Sequence, residues 1–408
     1  MVANPFIPED LVGRQAELQQ VSQILAADGD LLIAGVPGSG RRTVVRFAAQ
    51  AVGARMIEID CLRATDSNRF LHLIAESLLT AFKSSTELAL IQRWSSNQPL
   101  ILEQSIGGHA KLVWHSSTKD DWRLFQILLT LPQVMAEWLS CRIVLVFENF
   151  PHIRSWDRSE QWERYLRQEI QQQSRVSYAL IATTAENWVQ HSNMQIVFLP
   201  PLQDSELQLW LVTAMASQGL KFEPDSQALK LFLSYVQGNL GDAIALARRI
   251  WLDYRALNCD RGNGQTNSPD PRGFITTAPL SASSSLSVSA TTSPTSLYLT
   301  LPPNVDGIIQ AHHVHRSALA LVEDLSITFE SLILLLPSSQ VRVLESLALD
   351  PTDSPHSREY IQKHQLSRGG GLQGALASLQ QKGLVYGAEH GYRITMPLLA
   401  FWLKHRLT

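Results

Sequence analysis

Three glycines and a proline crowd into six residues, Gly35, Val36, Pro37, Gly38, Ser39 and Gly40, directly after the apolar run Leu31 to Ala34. A buried strand feeding a glycine-rich turn that opens a helix is the context a phosphate-binding loop needs. Glycine lets successive backbone N–H groups face one concavity, and the helix N-terminus adds partial positive charge. The spacing fits G-x-x-x-x-G from Gly35 to Gly40. The next positions depart from the pattern. Such a loop normally continues with Lys, which reaches the terminal phosphates, then Ser or Thr, whose hydroxyl binds Mg²⁺. Here Arg41 and Arg42 stand in those places, and Thr43 comes one residue late. At 3.6 residues per turn Thr43 lies a further ~100° round the helix, so it is expected to be a poor substitute. The loop is expected to hold ATP or ADP through its backbone, with Mg²⁺ weak or absent.

A second set of chemical groups closes the apolar run Arg142 to Phe147, where Glu148 and Asn149 follow. Glu148 could reach a metal-bound water. Asn149 can orient a water but cannot accept its proton. A third apolar run, from Val176, ends in the hydroxyls of Thr183 and Thr184. Arg154, Arg164, Arg167 and Arg175 are read as solvated charges rather than as an arginine finger.

The elements that must position these groups alternate. Helical periodicity over 18–25 precedes the first strand, and a helix over 41–52 follows the loop. Arg55 to Asp60 reads as a short strand and 70–82 as an amphipathic helix. Runs at 99–103 and 110–114 flank Gly107 and Gly108 as a hairpin. Helices at 122–138 and 162–172 and a short strand at 194–199 complete the series. Strands that are apolar throughout, alternating with helices, indicate a parallel sheet covered on both faces. Three helices follow from Pro201. Residues 258–304 then lose periodicity and are rich in Ser, Thr, Pro and Gly. Three short helices and a hairpin end the chain as a winged helix-turn-helix. The expected organisation is thus a core over 1–200, a helical lid over 201–257, a disordered linker over 258–304 and a winged helix over 305–408. Limited proteolysis is expected to cut the linker and leave two folded pieces.

The 408 residues, with 45% hydrophobic and 17% charged, suit a soluble multidomain protein, and a net charge of −3 gives no global pull toward nucleic acid. Cys61, Cys141 and Cys259 have no metal-binding spacing, and no apolar run is long enough to span a bilayer, so a cytoplasmic location is expected.

Val12-Gly13-Arg14 with Glu17 and Leu18 ahead of the loop, the hairpin, the segment Phe125 to Ala136, and the ending Gly391 to Trp402 together resemble one family. It is the prokaryotic AAA+/STAND-type P-loop ATPases of the archaeal type. The resemblance implies an α/β fold: a P-loop NTPase parallel sheet with helical lid, plus a C-terminal winged helix domain. It implies that Gly13 and Arg14 border the adenine, that Thr183 is the sensor-1 hydroxyl, and that Glu148 and Asn149 form a degenerate Walker B pair where the family has Asp-Glu. In the lid, Gly238, Asn239 and Leu240 replace the family's Gly-x-Pro. The leading expectation is a nucleotide-binding protein with weakened or lost hydrolysis, acting as a switch or scaffold for a protein partner. The alternatives are an active ATPase with unconventional Walker residues, and a winged-helix DNA-binding regulator whose P-loop domain is structural. Residues 339–408 hold eight Lys/Arg against five Asp/Glu, and the face expected to meet DNA or a partner offers Arg368, Gln373, Lys382 and Arg393. So few cations predict weak DNA binding with a shallow salt dependence. No membrane contact is expected, and a homo-oligomer is left open.

Overall fold

The computed structural model describes residues 4–104, 110–114, 121–170, 175–185, 189, 192–224, 227–262, 307–367, 369–387 and 391–407. The turn at Gly107 and Gly108, residues 263–304 of the expected linker, and Arg368 lie outside the described residues.

In chain order, α1 (Gln15–Ala26) leads to β1 (Leu31–Gly35), the loop, α2 (Arg41–Ala51) and β2 (Ala54–Asp60). Next come α3 (Ser67–Ala81), α4 (Ser85–Ser95) and the antiparallel pair β3 (Ile101–Gln104) and β4 (Ala110–Val113). Then α5 (Asp121–Leu139) delivers β5 (Arg142–Glu148), α6 (Gln161–Ile170) delivers β6 (Val176–Ala182), and β7 (Gln195–Leu199) closes the sheet. These five strands are parallel in the order β2-β5-β6-β1-β7. Phe70, Phe125, Phe147 and Tyr178 pack on one face, and Val21, Val44, Ala48 and Val144 pack on the other. Covering both faces is why β6 is buried at every position. Because β5, β6 and β1 are neighbours, Glu148, Thr183 and the glycine loop emerge side by side at the carboxyl edge of the sheet.

Asp30 fastens β1 to β6: its Oδ1 accepts the Tyr178 backbone N–H at 2.8 Å. Burial pushes its carboxyl up to about 7, against an ordinary 3.8. Folding therefore favours the protonated form. The stability this contributes is complete below the ordinary value and is lost as pH rises through about 7. Asp30→Asn cannot titrate. The wild type should gain melting temperature relative to this variant by on the order of 4 °C from about pH 8 to about pH 5. Parallel melting curves for the two proteins would sink the assignment.

The lid comprises α7 (Asp204–Ser217), β8 (Lys221–Phe222), α8 (Ala228–Val236) and α9 (Leu240–Gly262). The chain returns as β9 (Ile308–Ile309), parallel to β8, and α10 (Ala311–Asp324). Val314 and Ala318 of α10 share one core with Leu207, Phe232 and Leu246 of the lid. Ser317 Oγ also donates to Asp253 Oδ2 of α9 at 2.7 Å. Val322, at the far end of α10, joins the next core. That core holds α11 (Ser326–Leu334), α12 (Ser338–Leu349), α13 (Arg358–Lys363), α14 (Gly370–Gln381) and α15 (Pro397–Leu407). The antiparallel bridge between Val385 and Ile394 forms the wing. No described helix is long and apolar enough to cross a membrane.

Candidate nucleotide site

The loop folds as its glycines require. Gly38 at φ 83° and Gly40 at φ 88° lie in the left-handed region, where a Cβ is strained. Gly40 caps α2, whose first backbone N–H groups have no intrahelical acceptor. Gly38, Gly40, Arg41, Arg42, Thr43, Glu148 and Asn149 line one cavity of about 170 Å³. Thr43 borders the same space as Arg42.

Both arginines are committed to protein groups. Arg41 Nη1 donates to the Ala182 carbonyl at 2.8 Å, just before Thr183. Burial lowers its affinity for its proton, and the Glu148 charge opposes that shift. Arg42 Nε donates to Glu58 Oε1 at 2.8 Å, and its Nη2 pairs with the other carboxylate oxygen. The same Nε lies 2.8 Å from Glu148 Oε1. Hydrogen bonding to Glu58 is the main reason the Arg42 guanidinium holds its proton more tightly than usual. Glu148 is pushed upward by burial, partly offset by Arg42. Asn149, at φ 52°, turns its amide to Asp60 Oδ1 at 3.1 Å.

Glu58 and Asp60 were not singled out from the sequence. A signal existed: two carboxylates spaced by two residues on a strand share a face. The register that sets Asp60 beside Glu148 is visible only in the fold.

Gly13 and Arg14 sit away from the loop's cavity. A Cβ on Gly13 would meet Glu206 Cδ of α7 at 2.8 Å. Arg14 is buried, donates to Glu17 Oε1 at 3.0 Å and hydrogen-bonds the Pro200 carbonyl. Its guanidinium therefore ties α1 to the exit of β7.

The lid rests directly on the loop. Asn239 Nδ2 donates to the Pro37 carbonyl at 3.0 Å, and the Gly241 N–H donates to the Gly38 carbonyl at 3.2 Å. Asn239 Oδ1 also accepts the Asp242 N–H at 3.2 Å, capping the start of α9.

The winged helix closes over the next part of the sheet edge. A cavity of about 560 Å³ lies between Gly35, Val36, Thr183 and Pro200 on one side and Gln380 and Tyr386 on the other. At its rim, Gly383 packs so closely on Thr183 that no Cβ could fit. Thr183, expected as a sensor hydroxyl, therefore also supports the wing. Asp242 of α9 accepts the Leu398 N–H of α15 at 3.2 Å, joining lid and winged helix. Of the other residues expected to meet DNA or a partner, Gln373 is exposed, Lys382 Nζ donates to Gln340 Oε1 at 2.7 Å, and Arg393 lies over the Tyr386 ring. Arg154 and Arg167, read as solvated charges, instead both grip the buried Glu163.

Comparison with known proteins agrees with this architecture. A Walker-type ATPase of Pyrococcus abyssi superimposes with a TM-score of 0.59 at 12% identity, covering 99% of each chain. The chain has a P-loop ATPase fold. The Aeropyrum pernix ORC2 protein, solved as ADPNP-ADP complexes, aligns at 16% identity over 98% of this chain and 96% of its own, with a TM-score of 0.49. The ORC1 protein of the same organism, solved in complex with DNA, aligns at 14% identity over 99% and 97%, with a TM-score of 0.45. Residues 327–405 match a family described as a probable winged helix domain. No curated protein sequence matches the chain.

Proposed function

We propose that this P-loop ATPase fold belongs to an AAA+/STAND-like protein that binds ATP or ADP, hydrolyses it poorly or not at all, and acts as a switch or scaffold for a protein partner. One observation carries the reading. Arg42 occupies Glu148, and Asn149 offers an amide, already turned to Asp60, where hydrolysis needs a carboxylate to receive a proton from water. Backbone amides of an intact loop, in contrast, retain most of what holds phosphate. The lid hydrogen-bonds the loop itself and the winged helix packs on Thr183 at the neighbouring strand end, contacts through which loop occupancy would reach both domains.

Calorimetry with ATP and ADP, alongside phosphate release, tests this. The wild type should bind nucleotide and release no phosphate above a Gly40→Pro blank. Combining Arg41→Lys, Arg42→Thr, Glu148→Asp and Asn149→Glu should bring phosphate release to about 10²-fold above that blank, the usual scale for restoring a positioned base. Turnover by the wild type favours the active-ATPase alternative; no gain in the quadruple variant places the defect elsewhere.

The DNA-regulator alternative is the weaker one, because Lys382 and Arg393 are engaged within the winged helix and α14 lines the cavity against the ATPase core. Duplex binding by the full chain should be weak, with a salt slope no steeper than about two phosphates' worth at ~0.9 each. Tight, sequence-dependent binding at physiological salt would reverse that ranking.

A further inference from the structure

The fold implies Mg²⁺ beside the phosphates, and the residues present do not fit that ion. The position that normally supplies a hydroxyl is Arg42, whose guanidinium spans two strands. It is hydrogen-bonded to Glu58 on β2 and within 2.8 Å of Glu148 on β5. The remaining carboxylate, Asp60, accepts the Asn149 amide and the Leu62 N–H on one oxygen, Oδ1, each at 3.1 Å. Among the described residues no group of three His, Cys, Asp or Glu could hold a metal ion. A hydrated dication here would meet repulsion from the Arg42 guanidinium, which already faces the carboxylates of Glu58 and Glu148.

We infer that the Arg42 guanidinium is a built-in counter-ion in place of the divalent metal, so that the loop takes nucleotide phosphates as the metal-free anion. This rests on the nucleotide-binding reading for the identity of the anion, but not for the role of Arg42. Two features support a tethered cation. Arg42 is on the exposed first turn of α2, where its side chain can pivot between carboxylates and an arriving phosphate. Arginine presents a fork that suits either partner and stays charged in both.

The test uses the full chain and begins with metal alone. Mn²⁺ is titrated into wild type, Arg42→Ser and the triple variant Arg42→Ser/Glu58→Gln/Glu148→Gln, with bound ion read by electron paramagnetic resonance. The wild type should take no Mn²⁺ at this cluster, Arg42→Ser should gain one equivalent, and the triple variant should lose it again. ADP is then titrated by calorimetry with chelator and with excess Mg²⁺. The wild type should bind ADP about tenfold more tightly with chelator, a difference near 1.4 kcal/mol, and Arg42→Ser should reverse the order. Arg42 is more than half exposed, so its replacement leaves the fold intact, and Arg42→Lys gives a second variant that keeps the charge and should take no Mn²⁺. Mn²⁺ held by the wild type through Glu58 and Glu148, no Mn²⁺ gained by Arg42→Ser, or wild-type ADP binding that tightens with Mg²⁺ would each overturn the inference. ADP binding under neither condition would remove the nucleotide reading and leave the Mn²⁺ result to decide the role of Arg42.

Discussion

Replacing Gly383 with valine should detach the winged helix from the ATPase core. Gly383 follows α14 at φ 70°, donates its N–H to the Gln380 carbonyl at 2.8 Å and accepts the Thr395 hydroxyl at 2.6 Å. An L-residue in that conformation costs about 1–2 kcal/mol. Its Cβ would also overlap the Thr183 side chain, and overpacking of this kind adds about 1–3 kcal/mol. The sum rivals what a small interdomain contact provides, so the contact should open while each domain keeps its own core. Hydrogen exchange should accelerate at the end of β6 and in the wing but not in the centre of the sheet. Thr183→Trp produces the same overlap from the other side without touching the backbone of Gly383, and should give the same exchange pattern. Thr183→Gly should restore docking to the valine variant. Wild-type protection in both single variants would show that this contact does not hold the domains together.

The next largest effect is expected at Glu163. This carboxylate is 1% exposed and receives Arg154 through two hydrogen bonds of 2.7 Å, with Arg167 pairing from one turn along α6. Those hydrogen bonds hold its carboxyl below the usual range despite burial. Glu163→Ala leaves two guanidiniums without their common partner. Breaking a buried pair costs about 3–5 kcal/mol, and the partial exposure of both arginines reduces this to about 2–3 kcal/mol. A fall of roughly 5–10 °C in melting temperature follows. The sign with pH is also set. A depressed carboxyl contributes stability above its ordinary value of 4.5 and loses it as pH falls through the folded value. The gap between wild type and variant should therefore narrow in acid. A gap that widens in acid would mean that Glu163 is protonated in the folded protein.

How legible each part was in the sequence follows from the range of the forces involved. The sheet could be read because β1, β5 and β6 are buried on both faces and so carry unbroken apolar runs. The loop could be read because its glycines answer a local backbone demand. The helix α4 escaped notice, although Ser84 and Glu87 form a capping box that the sequence spells out. The partners of Arg42 could not be read, since they depend on β2 and β5 lying side by side. Arg14 follows the same rule. Its motif was visible, but the hydrogen bond of its guanidinium to Pro200, 186 residues away in sequence, was not. The role of α10 was hidden for a further reason. Its helical periodicity names an apolar face but not which neighbour covers it, and the lid covers most of it.

The short pairing of β8 with β9 has a consequence for the chain as a polymer. Lys221 N–H donates to the Gly307 carbonyl at 2.8 Å and Glu223 N–H donates to Ile309 at 3.1 Å, so the chain re-enters the very domain it left after α9. The described chain on either side of 263–306 therefore belongs to the lid, so that connection is an excursion from one domain in sequence terms. Lengthening such an excursion costs little, about 0.6 kcal/mol per doubling. Severing it should yield two polypeptides that migrate as a single particle under native conditions and separate only in denaturant. The gene could then be divided there and its halves expressed apart, each completing the lid of the other.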